Sequence, residues 1–166
     1  MQSAYHKLPT VNGAMQQAGR RFKASDVQYE STDAFAELRQ DISGAYPESA
    51  GIESWNRAIR LNRQDGVTLS DDYTLSSGGD VSFSFMTPYQ PTISDAGITV
   101  SGTPHETEKQ IDFTIVYNTS QVTPTIEAIS VEDRQLKRNW GDTMYRILFT
   151  HRNQTLSDRV VFNISK

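Results

Sequence analysis

Few residues in this chain have the type and spacing to do chemistry, and each of them also supports a structural reading. An imidazole such as that of His6 can ligate a metal or act as a base near neutral pH. The other histidines, His105 and His151, lie far away in sequence, so no second ligand stands at metal spacing. Asp71-Asp72 offers two carboxylates, the equipment of glycoside hydrolysis. Adjacent residues of a strand point to opposite faces, so this pair cannot converge on one substrate. It reads as a bulge or a strand-end hydrogen-bonding device.

Arg57, Arg60 and Arg63 could grip the carboxylate or sulfate groups of an acidic polysaccharide in bidentate fashion. A spacing of three does not keep them on one face of a strand, so a coherent row is not expected from them. Trp55 and Trp140 are the only tryptophans. Either could offer an indole face to the C–H bonds of a sugar, and either could anchor a loop or corner onto a sheet. The anchor is the preferred reading for Trp55, and Trp140-Gly141 reads as a tight turn covered by an indole. Three Asn-x-Ser/Thr triplets begin at Asn118, Asn153 and Asn163 and read as products of a Ser/Thr-rich composition. No glycine-rich phosphate loop, nucleophile elbow or HExxH zinc motif occurs.

The elements that must position these residues are strands. Val81-Ser82-Phe83-Ser84-Phe85 alternates without interruption, as does Ile111-Asp112-Phe113-Thr114-Ile115, which Tyr117 extends. Val67, Leu69, Tyr73 and Leu75 share one parity; so do Tyr145, Ile147 and Phe149, and so do Val160, Phe162 and Ile164. Weaker candidates are Val27 to Tyr29, Phe35 to Ile42, Ala58 to Leu61, Ile98 to Val100 and Ile126 to Val131. Turn signals separate them, among them Asp65-Gly66, Ser77-Gly78-Gly79-Asp80, Ala96-Gly97 and Ser101-Gly102-Thr103-Pro104. Gly13 to Phe22 has good helix formers, but Gly19 breaks it, leaving short helix and turn both open. The pattern predicts an all-β chain, an antiparallel β-sandwich of two packed sheets with little helix, as a single domain over 1–166.

Composition narrows the function classes. A chain of 166 residues with 36% hydrophobic and 22% charged residues is long enough for one domain with a proper core. No apolar run approaches the length of a membrane helix, and a formal charge of −4 with dispersed basic residues argues against nucleic acid as a partner. The absence of cysteine excludes disulfides and thiolate chemistry and leaves the compartment open. The first residues hold no basic region followed by an apolar core, so no signal peptide is expected in this sequence.

Three separated segments, in order, resemble the heparinase II/III-like polysaccharide lyases. The first is Tyr5-His6-Lys7-Leu8-Pro9-Thr10-Val11-Asn12-Gly13, in which Lys7 stands for the family's Asn and Val11 for its Ile. The second runs from Ala45-Tyr46-Pro47 through Gly51 and Trp55 to Arg63, and the third is Leu136 to Ile147 with Trp140-Gly141 and Tyr145-Arg146-Ile147. The resemblance covers nearly the whole chain and implies that it corresponds to the C-terminal β-rich part of a larger bacterial enzyme. Such enzymes join an α/α-toroid to β-sandwich domains and degrade uronic-acid polysaccharides, glycosaminoglycans among them, by β-elimination. The resemblance implies a periplasmic or secreted parent, an acidic polysaccharide as its substrate and the toroid as partner of this region. It also implies that His6 is one ligand of a structural zinc site whose other ligands, a His and an Asp, lie N-terminal to this chain. The chain alone is then expected to hold no cofactor, and the family's catalytic Tyr, Asn and His map to no residue here.

The expectation is therefore a non-catalytic β-sandwich portion of a lyase, inactive alone, with Trp55 and Trp140 as candidate substrate contacts and His6 as an incomplete metal site. The alternative is a stand-alone carbohydrate-binding β-sandwich that uses the two tryptophans and surface tyrosines. A purely structural module that docks the toroid through an apolar face is the third reading.

Overall fold

A computed structural model describes residues 6–104, 109–152 and 155–166. His105, Asn153 and Tyr5 fall outside them. The described strands are β1 (Pro9–Val11), β2 (Ser25–Ser31), β3 (Phe35–Asp41), β4 (Ile52–Asn62), β5 (Gly66–Leu75) and β6 (Val81–Thr87). They continue as β7 (Pro91–Ser94), β8 (Gly97–Gly102), β9 (Ile111–Tyr117), β10 (Val122–Ser130), β11 (Thr143–His151) and β12 (Ser157–Ser165), with an α-helix, α1 (Arg134–Trp140), between β10 and β11 and 3-10 turns at Ser43–Ala45 and Glu48–Ala50. Two antiparallel sheets result, a four-stranded one ordered β1-β6-β11-β10 and an eight-stranded one ordered β2-β3-β4-β5-β12-β9-β8-β7. The expected all-β sandwich is thus present.

Alternation decides which side of each strand meets the other sheet. Phe83, Phe85, Ile147 and Phe149 of the small sheet interleave with Leu69, Ile98, Ile115 and Phe162 of the large one, all of them buried. Phe162 sits at the centre, its ring centroid 4.8 Å from Phe149, 5.1 Å from Phe85 and 5.4 Å from Phe83. Such edge-on aromatic contacts add to the burial itself. Gly66 is required at the β4–β5 turn, because its φ is 113° and a Cβ there would lie 2.1 Å from the Ile164 carbonyl oxygen.

Several sequence expectations are corrected. Asp71 and Asp72 lie in the middle of β5 in regular register with Arg57 and Asn56, so they form neither a bulge nor a strand end. The β4–β5 irregularity falls instead between Ile52 and Ser54. Of the two readings left open for Gly13 to Phe22, the structure takes turns and loop rather than helix. Trp140-Gly141, read as a tight turn covered by an indole, is the end of a helix, Arg134–Trp140, with the indole 48% exposed; the Asp133 carboxylate caps the helix by accepting from the Gln135 and Leu136 amides at 2.8 and 2.9 Å. Gly141, with φ 82°, ends it.

Candidate functional site

The first two motif segments meet at one buried junction. β4 and β5 pair so that Trp55 stands opposite Tyr73 and Arg57 opposite Asp71. The Asp71 carboxylate, 0% exposed, accepts from Arg57 Nε at 2.7 Å and Nη2 at 2.9 Å, and from the Trp55 indole Nε1 at 2.6 Å. A bidentate guanidinium plus an indole donor satisfies this charge where water cannot. Arg57 then donates its remaining Nη1 to the Lys7 carbonyl at 2.7 Å.

Three further bonds tie the same N-terminal segment down. The Tyr46 hydroxyl donates to the Pro9 carbonyl at 2.6 Å, Asn12 Nδ2 to the Ala50 carbonyl at 3.1 Å, and Ser84 Oγ to the His6 carbonyl at 2.7 Å. Asn12 also accepts from the Asp80 amide at 3.1 Å, which its left-handed φ of 53° allows. Burial pushes the Tyr46 phenol well above its ordinary range, so it stays a neutral donor. The residues from Tyr46 to Arg57 and from Lys7 to Asn12 therefore act as a clasp that fixes β1 across the sandwich.

That clasp corrects the reading of Trp55 as a substrate contact. Its side chain is 0% exposed, one indole face stacks on Tyr73 at 4.7 Å, and Phe83 packs at 6.0 Å. It has no face left for a sugar and serves as the anchor. The three arginines also separate. Arg57 is buried in the junction; Arg60 lies on the outer face of the sheet, 3.6 Å above the Phe35 ring; Arg63 donates to the Thr32 carbonyl at 3.1 Å.

His6 is exposed, and among the described residues no group of three His, Cys, Asp or Glu side chains gathers around any point. A tetrahedral zinc site needs about four donors, so the described residues do not by themselves fit that metal. His151 is engaged elsewhere: Nε2 lies 2.7 Å from Asp158 Oδ2, with the histidine side chain 3% exposed.

Trp140 is in the opposite situation from Trp55. It sits at the C-terminal end of α1, 48% exposed, on a cleft of about 800 Å³ whose walls include Tyr89, Pro104, Arg138, Asn139 and Tyr145. Tyr89 lies directly on Gly102, where a Cβ would come within 2.1 Å of the tyrosine ring. Lys137 Nζ and Asp142 Oδ1, 3.3 Å apart, brace the turn after the helix. An exposed indole with flanking tyrosines and amide, hydroxyl and guanidinium groups can stack on a sugar ring and bond its hydroxyl or acidic substituents. The sequence named Trp140 here, with Tyr145 in the same motif segment; Tyr89 and Pro104 join them only through tertiary structure.

No family model matches this sequence, and no curated protein matches it either. The fold does have solved counterparts. Heparan sulfate lyase HepC from Pedobacter heparinus superposes with a TM-score of 0.68 at 10% identity, over 99% of this chain and 25% of that chain. A heparinase III structure gives a TM-score of 0.63 at 14% identity, over 96% of this chain and 23% of that one. The chain spans about a quarter of the length of the structures it matches. Its fold is that of a heparinase-like β-sandwich region.

Proposed function

We propose that this chain is the non-catalytic β-sandwich portion of a heparinase II/III-like lyase that cleaves uronic-acid polysaccharides by β-elimination. The observation that carries the proposal is the extent of the match: 99% of this chain lies on a quarter of a heparan sulfate lyase. The chemistry points the same way. Elimination needs a base at the C5 proton, a group facing the carboxylate and an acid at the leaving oxygen. Asp71, Arg57 and Trp55 are committed to one another, and Tyr46 to Pro9, so the groups of the motif segments are already bonded inside the fold.

In this reading the sandwich supports the substrate cleft of a periplasmic or secreted enzyme. His6, its backbone pinned by Ser84, contributes one ligand to a zinc site completed by residues from outside this chain. The test is absorbance of unsaturated uronate when the chain alone meets heparan sulfate, hyaluronan or alginate. No rise is expected, and a rise would refute the non-catalytic assignment. A gene that continues upstream into a helical toroid supports the parentage, and a gene that starts at Met1 removes it.

A second reading, a stand-alone carbohydrate-binding module, is favoured by Trp140 alone, half-exposed beside Tyr89 and Tyr145. Retention of the chain on an acidic glycan gel, lost in Trp140→Ala, is its expected signature. No retention on acidic or neutral glycans would sink it.

A further inference from the structure

Spacing along β4 alone cannot gather arginines on one face, but register across strands does. On the side of the large sheet that faces away from the small one, Arg39 of β3 stands opposite Ala58 of β4, and Ala58 opposite Ser70 of β5. Beside that row, Glu37 stands opposite Arg60 and Arg60 opposite Thr68, and on its other side Asn56 stands opposite Asp72 and Asp72 opposite Arg159 of β12. Ala58 and Ser70 are short, so the surface sinks between the longer side chains around them. A trough of about 520 Å³ results, with Gln28, Arg39, Asn56, Arg60 and Arg159 on its walls.

Two of these cations are held from below. Glu37, its side chain 8% exposed, accepts from Arg39 Nε through Oε1 and pairs with Arg60 Nη1 at 3.5 Å through Oε2. Arg60 is fixed further by the Phe35 ring beneath it and by Nε donating to Asn62 Oδ1 at 3.1 Å. One buried carboxylate thus orients two guanidinium groups and neutralises only one of them. Arg39 is bonded through Nε, and Arg159 approaches Asp72 Oδ2 through Nε at 3.8 Å, so the terminal nitrogens of both point to the ligand side of their ion pairs. Both side chains are more than half exposed. From β3 to β12 is three strand spacings, roughly 14 Å.

We propose that this trough binds an acidic oligosaccharide, with carboxylate or sulfate groups on Arg39 and Arg159 and sugar hydroxyls on Asn56 and Ser70 between them. The site shares no residue with the Trp140 cleft, and it does not rest on the reading of the chain as part of a lyase. A guanidinium fork matches the planar carboxylate and the sulfate. A sugar hydroxyl both donates and accepts, as do the amide of Asn56 and the hydroxyl of Ser70, whereas Asp72 accepts from it. Nucleic acid fits poorly, because Asp26, Glu37 and Asp72 line the same trough and oppose a phosphate at every step, and its described lining holds no aromatic ring to stack a base. A protein partner would seek an apolar centre, and Ala58 alone supplies one here.

Exposed ion pairs without an aromatic platform are individually weak, so the expected Kd is on the order of millimolar and the readout must be residue-specific. The 166-residue chain is treated with phenylglyoxal, which modifies arginine, with and without hyaluronan oligosaccharide at about 10 mM, and peptide-level mass spectrometry follows each arginine. Modification of Arg39 and Arg159 should slow at least about fivefold, with Arg20 and Arg21 unchanged. Dextran, a neutral glycan, and a short single-stranded DNA should each leave Arg39 and Arg159 unprotected. In Arg39→Ala the protection of Arg159 should fall at least about threefold, because one ligand spans both. No protection at Arg39 and Arg159, or equal slowing at Arg20 and Arg21, would overturn the site. Equal protection by the DNA would reduce it to a general anion effect, and unchanged protection of Arg159 in Arg39→Ala would refute a single spanning ligand. The absorbance test of the lyase reading is decided separately from all of these.

Discussion

The junction around Arg57 and the cleft around Trp140 are built from the same residue classes: an indole, tyrosines, a guanidinium and a carboxylate. In the junction Trp55 is 0% exposed, and the Asp71 carboxylate, the Arg57 guanidinium and the Trp55 indole N–H all have protein partners. In the cleft Trp140 is 48% exposed, and Arg138 and Asp142 line the wall beside it. Residue type does not separate an anchor from a binding platform. Burial does, because a satisfied buried charge has no capacity left for a ligand, whereas an exposed indole beside unburied polar groups does. The contrast predicts that the two regions respond to mutation differently, the junction through stability and the cleft, in the carbohydrate-binding reading, through ligand retention.

The largest expected effect is at the junction. Asp71→Ala strands the Arg57 guanidinium, 4% exposed, and should cost about 3–5 kcal/mol, read as a lowered urea midpoint. Trp55→Ala should cost a similar ~3–5 kcal/mol through the cavity it leaves. A loss below about 1 kcal/mol at either position would break the comparison. Gly102→Ala should come next, at about 1–3 kcal/mol, because the added methyl must push Tyr89 aside. In the carbohydrate-binding reading it should also weaken glycan retention, because Tyr89 both lines the cleft and packs against the core. Trp140→Ala should move the urea midpoint by less than about 0.5 kcal/mol while removing retention.

The smallest effect concerns pH. Hydrogen bonding from Arg39, with help from Arg60, holds the Glu37 carboxyl below its usual range. A carboxyl with a folded pKa below its unfolded one contributes stability that is full above the unfolded value and fades as pH falls through the folded one. Because the two arginines face solvent, the contribution should be under about 1 kcal/mol. Glu37→Gln should accordingly lower the urea midpoint at neutral pH and converge with the parent chain as the solution is acidified.

Much of the architecture could be read directly from period-two runs. Val81 to Phe85, Ile111 to Tyr117 and Val160 to Ile164 all fall within strands of the structure. β7 escaped because Pro91–Ser94 is short and mostly exposed, so no alternation marks it. The helix escaped for a different reason: its seven residues are too few for an amphipathic period, and the available signal was the cap, Asp133 before it and Gly141 after it. The site was legible in part. Trp140 stood out by type, but the difference between the two tryptophans depends on Arg57 and Trp55 facing Asp71 and Tyr73 across β4 and β5, and cross-strand register is not written in either strand alone. The resemblance carried by the first two segments marked residues that grip one another inside the fold.

The most direct test of this division is a paired measurement on Trp55→Phe and Trp140→Ala: urea unfolding together with titration of a heparan sulfate oligosaccharide. The account predicts that Trp55→Phe lowers the unfolding midpoint and keeps the parent affinity, while Trp140→Ala keeps the midpoint and, in the carbohydrate-binding reading, loses binding. Lost affinity in a folded Trp55→Phe, with full affinity in Trp140→Ala, would contradict it.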